Sequence, residues 1–512
     1  MKQYDVAIIG MGIAGLTSHA ILTNQGMKVL GVEKRNRPGG LLSSFERGGV
    51  PFVNLAGSFI MGCGKDGYVS KLLRDLSIDG EVDFVAVDSI GKYFFPDNVF
   101  VNDTDLETVK EKLFEMFPEE AKAISDYYKV TDSIYKETMN LIFRDMGTFD
   151  YMTFPFRNYD LVRYGNTSVG DYMYKHFKEE NLISHLLAPS SEFTPGPILP
   201  VSFVIIALLS QIGYKLGMKL IQGGTYKLAR AFQKAIIGNG GEILTNRSVT
   251  RIITNNSNAT GIELDDGEII KAKYVISCVD SYQTFLQFLG EERLPQKFSD
   301  KIKRMKLGPC AGVVYLALTD PPDKYGIQYG PNAYFNSYAP DQWWENNAKK
   351  AFFDSQGSFT LYNLSTEKHV FTEDGVYPIM MAKGISEFPK NDLTPSKQKI
   401  INAYQENLSK LIPNVREKVI IEEVFTPQDF QRFDSIPNGA VGWFPSPDQV
   451  AQKGIPPKTF LKNLYLAGQW TSPGQGINCC MISAMEATRQ IFKNTSNKHA
   501  VQYIEGYRET LL

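Results

Sequence analysis

Residues 4–15, "YDVAIIGMGIAG", constrain this chain more than any other stretch. Tyr4 to Gly10 is an apolar run with valine and isoleucine, the pattern of a strand buried on both faces. Gly10, Gly12 and Gly15 then form G-x-G-x-x-G where the strand gives way to a helix, which ends near Gly26. "KVLGVEK" (Lys28 to Lys34) reads as a second strand, with Glu33 standing 18 positions after Gly15. Together these make a βαβ unit. Gly10 permits the tight turn, Gly12 lets a pyrophosphate approach the backbone, and Gly15 lets helix and strand pack closely. Ile13 and Ala14 lie between the last two glycines and are counted with the site. The helix N-terminus offers unpaired N–H groups and a positive dipole end to phosphates. Glu33 can accept hydrogen bonds from ribose hydroxyls. In this context a dinucleotide site outweighs a plain tight turn.

The rest of the chain narrows the class. At 512 residues it exceeds one simple core and calls for two domains or more. Hydrophobic residues make up 43% and charged residues 21%, as in a folded globular protein. A net charge of −2 with no long basic run argues against nucleic acid as a partner. Five cysteines, two of them adjacent, do not read as a disulfide framework, and a reducing cytosol is the simpler home. The N-terminus lacks the pattern of a secretory signal. The most apolar run, Phe203 to Leu209, is far below the ~20 residues that cross a bilayer. It has three readings: a core helix, a tunnel wall, or a lid in peripheral contact with a membrane.

Regular α/β texture returns after an aromatic, helix-rich stretch that runs from about 95 to 215. A helix near Lys227 to Ile237 leads to Gly240-Gly241 and the strand "EILTN". "VTRIIT" and the strands around the Asp266-Gly267 turn follow. A second irregular region spans roughly 300 to 455. The chain then closes with "NLYLAGQWTSPGQGINCC", a short apolar strand, a glycine-rich loop and a helix-like run.

A second glycine pair, Gly39 and Gly40 in "RNRPGGLLSS", follows the acidic strand and resembles the R-x-G-G-x-x-S signature of flavoproteins. With "GMGIAG", "QGGTYKLARAF", "GGEILTNRSV", "NGAVGWFPSP" and "NLYLAGQWTSPGQGI", the chain resembles the phytoene desaturase, carotenoid isomerase and retinol saturase-like flavoproteins of the amine oxidase superfamily. The resemblance covers nearly the whole chain in order. It implies an α/β fold: a Rossmann-like FAD-binding domain of the glutathione reductase and amine oxidase type, interleaved with a mixed substrate-binding domain that includes a helical lobe. The FAD domain would take residues 1–95, 216–300 and 455–495. A helical lobe would take 96–215 and a mixed lobe 301–454.

The same resemblance assigns roles. Lys34, Arg37, Gly39, Gly40, Leu41 and Ser43 would hold the cofactor beside the first glycine loop, and Val249 would meet adenine through its backbone. The last strand would return beside the first, with Gly468, Gln469, Gly476 and Ile477 closing on FAD and Trp470 and Thr471 at the substrate. Two departures stand out. Asn54 and Ala56 occupy a turn where the family favours Asp and Gly, and Gln469 stands where it often has Asp or Glu.

The implied activity is desaturation, isomerisation or saturation of an apolar unsaturated lipid by hydride exchange with flavin. Amine oxidase or protoporphyrinogen oxidase-like chemistry is the alternative enzyme reading. Trp470 could supply one member of an aromatic pair there, but no clear second is visible. A prenyl-binding escort protein is the non-enzymatic alternative, and the intact flavin motifs argue against it. Acid–base candidates are poor. His19 falls in the first helix and His176 and His185 in the helical lobe, and no motif surrounds His369 or His499. No metal signature occurs. Arg144 and Asp145 form a polar pair that either serves the substrate lobe or is solvated. Cys479 and Cys480 read as small packing residues.

Overall fold

In the computed structural model, which describes residues 3–52, 59–191, 196–343, 357–365, 375–385, 397–434, 437–450 and 453–512, the N-terminal apolar run is the strand Gln3–Ile9. It lies mid-sheet, parallel to Val29–Val32 on one side and Ile269–Ser277 on the other. That position explains its composition, since strands covered on both faces carry near-continuous apolar runs. Glu242–Leu244 extends the sheet beyond Val29–Val32. Asn258–Leu264 and Val249–Asn255 extend it antiparallel beyond Ile269–Ser277. The Asp266-Gly267 turn sits between two of these strands as the sequence indicates, with Gly267 at φ +83°.

The last strand, Leu464–Leu466, does not lie beside the first. It pairs in parallel with Val275, Ile276 and Ser277, so the strand Ile269–Ser277 separates the two. The reason is local. Ile269 to Lys271 are taken by the antiparallel neighbour, while the far half of the same strand is left as an edge that Leu464–Leu466 fills.

The helix Ile13–Asn24 runs under this sheet between the helices Tyr226–Gly238 and Ile477–Asn494. Every residue from Ile13 to Thr23 is buried. Its His19 is packed there, Nε2 donating to the Glu242 carbonyl at 3.0 Å.

A second sheet has the order Val419–Phe425, Cys310–Leu318, Tyr377–Ile385, Phe359–Asn363, Gly330–Tyr334, Gly91–Phe94, Val99–Asn102. Alternation along Cys310–Leu318 gives it two faces. Val314, Leu316 and Leu318 pack with Met381 against Ile400 and Tyr404 of the helix Lys397–Leu408. Val313, Tyr315 and Ala317 face an apolar wall with Phe52, Tyr362 and Met380. The division expected at residue 95 falls inside the hairpin Gly91–Phe94 and Val99–Asn102, both strands of which belong to this second sheet.

Helices from Leu106–Met116 to Phe203–Leu216 follow in the chain and share a core with Tyr93, Phe100 and Ala333 of the second sheet. The apolar run at Phe203 forms a helix whose Phe203, Val204, Ile206 and Ala207 are buried against the helix Ala121–Met139. It is a core helix, and its Leu209, Ser210 and Gly213 also edge a cleft. Among the described residues no helix is long and apolar enough to cross a membrane. Arg144 and Asp145 part company. Arg144 pairs with Asp150, and Asp145 with Arg489 and Lys493 of the helix Ile477–Asn494.

Candidate functional site

The first glycine loop is built of bare backbone. A Cβ on Gly15 would stand 2.0 Å from the Gly10 carbonyl oxygen, so only glycine lets the helix start this close to the strand. The second loop is stitched onto it: Gly39 N–H donates to the Met11 carbonyl at 2.8 Å, and Gly12 and Gly39 form a β-bridge. From the Cβ position of Gly12 only the Gly40 Cα, at 3.9 Å, comes within 4 Å. A slot therefore runs between the two loops that a side chain at Gly12 would enter.

Glu33 lies buried at the end of the second strand, 4% exposed. Its carboxylate accepts the Met11 and Arg35 N–H groups, each at 3.0 Å. Two carboxylate oxygens offer about four acceptor sites, so capacity remains for ribose hydroxyls. Arg247 N–H donates to the Glu33 carbonyl at 3.1 Å and brings the start of the strand Val249–Asn255 to the same end of the slot. Ser43 Oγ donates to the Gly40 carbonyl at 2.7 Å. The exposed Arg37 donates to the Ser44 carbonyl at 2.6 Å and lies over the Tyr226 ring. Both residues brace the second loop. Lys34 stands near the Asp280 carboxyl.

The closing loop reaches the same place from the other end of the chain. Gly468, at φ +107°, donates its N–H to Ser483 Oγ at 2.8 Å, and its Cβ position lies 3.6 Å from the Ala14 methyl. Gln469 is half-buried beyond it. Gly476 precedes the helix Ile477–Asn494 without a side-chain cap, so the first-turn N–H groups from Ile477 onward face outward from the helix end. Trp470 and Thr471 are buried and work as anchors. The Trp470 carbonyl accepts Trp443 Nε1 at 3.0 Å and Ser281 Oγ at 3.2 Å, and Thr471 Oγ1 donates to the Ile455 carbonyl at 2.8 Å. Trp443 is the aromatic neighbour of Trp470, but the rings meet edge-on at 88°, with Trp443 committed to a carbonyl, and do not form two parallel walls.

Leu41 joins the halves. It packs against the Trp470 cluster on one side and the Phe52, Tyr315 and Tyr362 wall of the second sheet on the other. Asn478, in the first turn of the closing helix, holds Met61 through both backbone groups, at 2.8 and 3.2 Å, and contacts the Tyr68 hydroxyl. A narrow cleft with about 20 Å³ of free space runs from Met61 past Ile90 between Tyr127 and Gly213. Its lining is mostly apolar. Its clearest polar pair is Tyr214, whose hydroxyl donates to Asn102 Oδ1 at 2.5 Å. Burial pushes the Tyr127 and Tyr214 hydroxyls well up, so neither is a base near neutrality.

Asp280 stands beside the first loop, next to Val279, whose methyl faces Gly10. Burial pushes its carboxyl up to about 6 against the opposing backbone hydrogen bonds from Gln283 and Tyr282. Sequence reasoning did not single out Asp280, Asn478 or Trp443. Asn478 directly follows "PGQGI" and Trp443 lies inside "NGAVGWFPSP", so the signals were present in motifs read for their glycines. Asn54 and Ala56 lie outside the described residues.

A βαβ cradle of bare backbone, an acidic residue at the second strand and a C-terminal loop returning onto both define a dinucleotide-binding fold. The chain belongs to the flavin containing amine oxidoreductase family, whose model matches residues 13–492. It is an FAD-dependent oxidoreductase. It is 23% identical to prolycopene isomerase 1 of an Oncidium hybrid cultivar, over 96% of this chain and 84% of that protein. It is 24% identical to 4,4'-diaponeurosporene oxygenase of Staphylococcus aureus strain MW2, over 95% of this chain and 97% of that protein. Its fold matches an oxidoreductase from Methanosarcina mazei with a TM-score of 0.63 at 17% identity, covering 95% of this chain and 99% of that one.

Proposed function

We propose that this enzyme uses FAD to act on carbon–carbon bonds of a long apolar polyene or isoprenoid. One observation carries the reading: the glycine loops from both ends of the chain meet at Gly468 and Ala14, and an apolar cleft opens at Met61, which the same closing helix holds through Asn478. The relatives named for carotenoid chemistry support the substrate class. An amine substrate finds less support, because Trp443 and Trp470 do not make an aromatic cage.

The residues fit FAD. Gly10, Gly12, Ile13, Ala14 and Gly15 would hold the pyrophosphate on backbone N–H groups at a helix N-terminus. Glu33 would bind the adenosine ribose, with Lys34 beside it and Val249 at the adenine. Arg37, Gly39, Gly40, Leu41 and Ser43 would form one wall, and Gly468 and Gln469 the other. Gln469 would hydrogen-bond as a neutral amide. Gly476 and Ile477 would point the positive end of the closing helix at the flavin ring, which favours its anionic reduced form. Bound FAD would supply hydride transfer to or from carbon. Widened around a substrate, the cleft would orient an apolar chain and exclude water. Its tyrosines remain protonated, so the lining adds no charge that a polyene would have to desolvate.

The test is anaerobic incubation of the yellow protein with long and short polyenes, FAD first oxidised and then reduced. A product of unchanged mass formed only with reduced FAD is isomerisation. Loss of two hydrogens with oxidised FAD is desaturation, and gain of two with reduced FAD is saturation. If no polyene reacts in either state, the substrate class is wrong.

A further inference from the structure

The helix Thr148–Arg157 buries none of its residues, although its sequence, TFDYMTFPFR, is largely apolar. Phe149, Met152 and Phe156 are 66%, 72% and 86% exposed. Their spacing puts all three on one helix face. This is the apolar stripe of a core helix turned outward. The helix Tyr159–Tyr164 continues it with Tyr159 and Val162. With Tyr151, six of the fourteen large hydrophobic side chains exposed among the described residues fall within residues 149–162, so the exposure is a patch and not scatter.

The patch is mounted firmly. Glu137 of the helix Ala121–Met139 accepts the backbone N–H groups of Leu161 and Asp160 at 2.7 and 3.3 Å, and Asn158 and Tyr164 are buried. Arginines rim it. Arg144 and Arg157 line a pocket of about 130 Å³ with Asn140 and Asn158. They share one carboxylate, Asp150, at 2.5 and 3.6 Å, which leaves the pocket with an excess positive charge. Arg163 lies over the Tyr164 ring nearby.

We propose that this face docks the protein on an anionic phospholipid bilayer. Phe149, Met152 and Phe156 enter the acyl boundary, Tyr151 and Tyr159 lie at the headgroup level, and Arg144 and Arg157 take lipid phosphate. Aromatic and apolar side chains on one face with arginine beside them are what an interfacial helix presents to lipid. The pocket's two guanidiniums complement a phosphate, and a phosphate needs no groove in which to seat a protein partner. The Phe203 run, for which a membrane-contacting lid is one of three sequence readings, is packed in the core, and among the described residues the exposed apolar side chains gather most densely at 149–162. The docking stands apart from the substrate reading. If that reading also holds, the helix Ala121–Met139 connects the two, since Tyr128 at the cleft and Asn140 at the patch lie about 18 Å apart along its axis.

The test is flotation of the full FAD-loaded protein with vesicles of phosphatidylcholine, alone and mixed with phosphatidylglycerol, without substrate. The wild type should float with the mixed vesicles and more weakly with phosphatidylcholine. Phe149→Ser with Phe156→Ser should weaken partition at least about tenfold on both, with flavin absorbance and melting temperature unchanged. Arg144→Gln with Arg157→Gln should lose only the preference for anionic lipid. Wild type left in solution by both vesicles overturns the proposal, as does a phenylalanine variant that floats like wild type. Arginine variants that keep the anionic preference overturn the phosphate contact. A dimer on gel filtration that Phe156→Ser splits, with no flotation, assigns the patch to a second copy of the chain instead.

Discussion

The helices Ile13–Asn24 and Thr148–Arg157 are near opposites. The first, IAGLTSHAILTN, carries Thr17, Ser18, His19 and Thr23 in complete burial. The second carries three phenylalanines, a tyrosine and a methionine and buries nothing. Residue polarity does not decide the outcome; available neighbours do. The first helix is enclosed by a sheet and two helices, which bury its polar groups whether or not each is satisfied: Thr17 Oγ1, Ser18 Oγ and His19 Nδ1 have no partner among the described residues. Thr23 Oγ1 donates to the His19 carbonyl at 2.8 Å, and His19 reaches Glu242. The second helix packs on the helix Tyr159–Tyr164, and none of its residues is buried. A closed layer buries polar side chains with or without a partner, whereas the aromatic side chains outside one stay exposed.

The largest expected effect comes from placing a charge in the enclosed helix. Leu16 is fully buried, and Leu16→Asp should cost more than about 4 kcal/mol in urea unfolding, because an unpaired carboxylate loses its water. If it is tolerated, the enclosure is not what the packing indicates. Gly15→Val should come next, at about 3 kcal/mol from overpacking against Gly10, together with loss of the yellow colour on purification. Retained flavin absorbance would show that the loops do not form the cofactor cradle.

His19 gives a pH test of the same enclosure. Burial lowers its pKa from 6.5 to about 4, against the opposing hydrogen bonds to Glu242 and its own backbone. The folded pKa is depressed, so the unfolded chain binds the proton first as pH falls. The stability is fully present above 6.5 and drains away as pH drops toward 4, to a total of about 3 kcal/mol. His19→Gln keeps a donor for the Glu242 carbonyl and removes the titration. Stability measured against pH should therefore fall less steeply for the variant than for wild type across that window, and equal slopes would count against a buried neutral ring.

The same contrast explains what could be read in advance. The nucleotide lobe was legible because its constraints are local: a turn that needs Gly10, a contact that excludes a Cβ at Gly15 and an acid at the end of the next strand all lie within one βαβ unit. The partner of the last strand is not legible in the sequence, because which edge stays open depends on how far Asn258–Leu264 covers Ile269–Ser277, a long-range register that no local motif encodes. The substrate half was legible only as texture. The roles of Asn478 and Trp443 depend on Met61 and Trp470, which are distant in sequence, and the outward turn of Phe149, Met152 and Phe156 depends on what is missing above them.

The smallest expected effect completes the contrast. Phe156→Asp makes on the open helix the change that Leu16→Asp makes on the closed one. Phe156 is 86% exposed, so the carboxylate keeps its water and folding stability should move by no more than about 0.5 kcal/mol. Arg157 is adjacent, but an exposed pair adds little. Urea unfolding of the two variants side by side reads the difference directly. A large loss from Phe156→Asp would mean that the phenylalanine is packed in solution, against a second copy or against the lobe itself. Near-neutrality would mean that the chain gains nothing in water from an aromatic ring at this position, and that its worth lies in a contact made outside water.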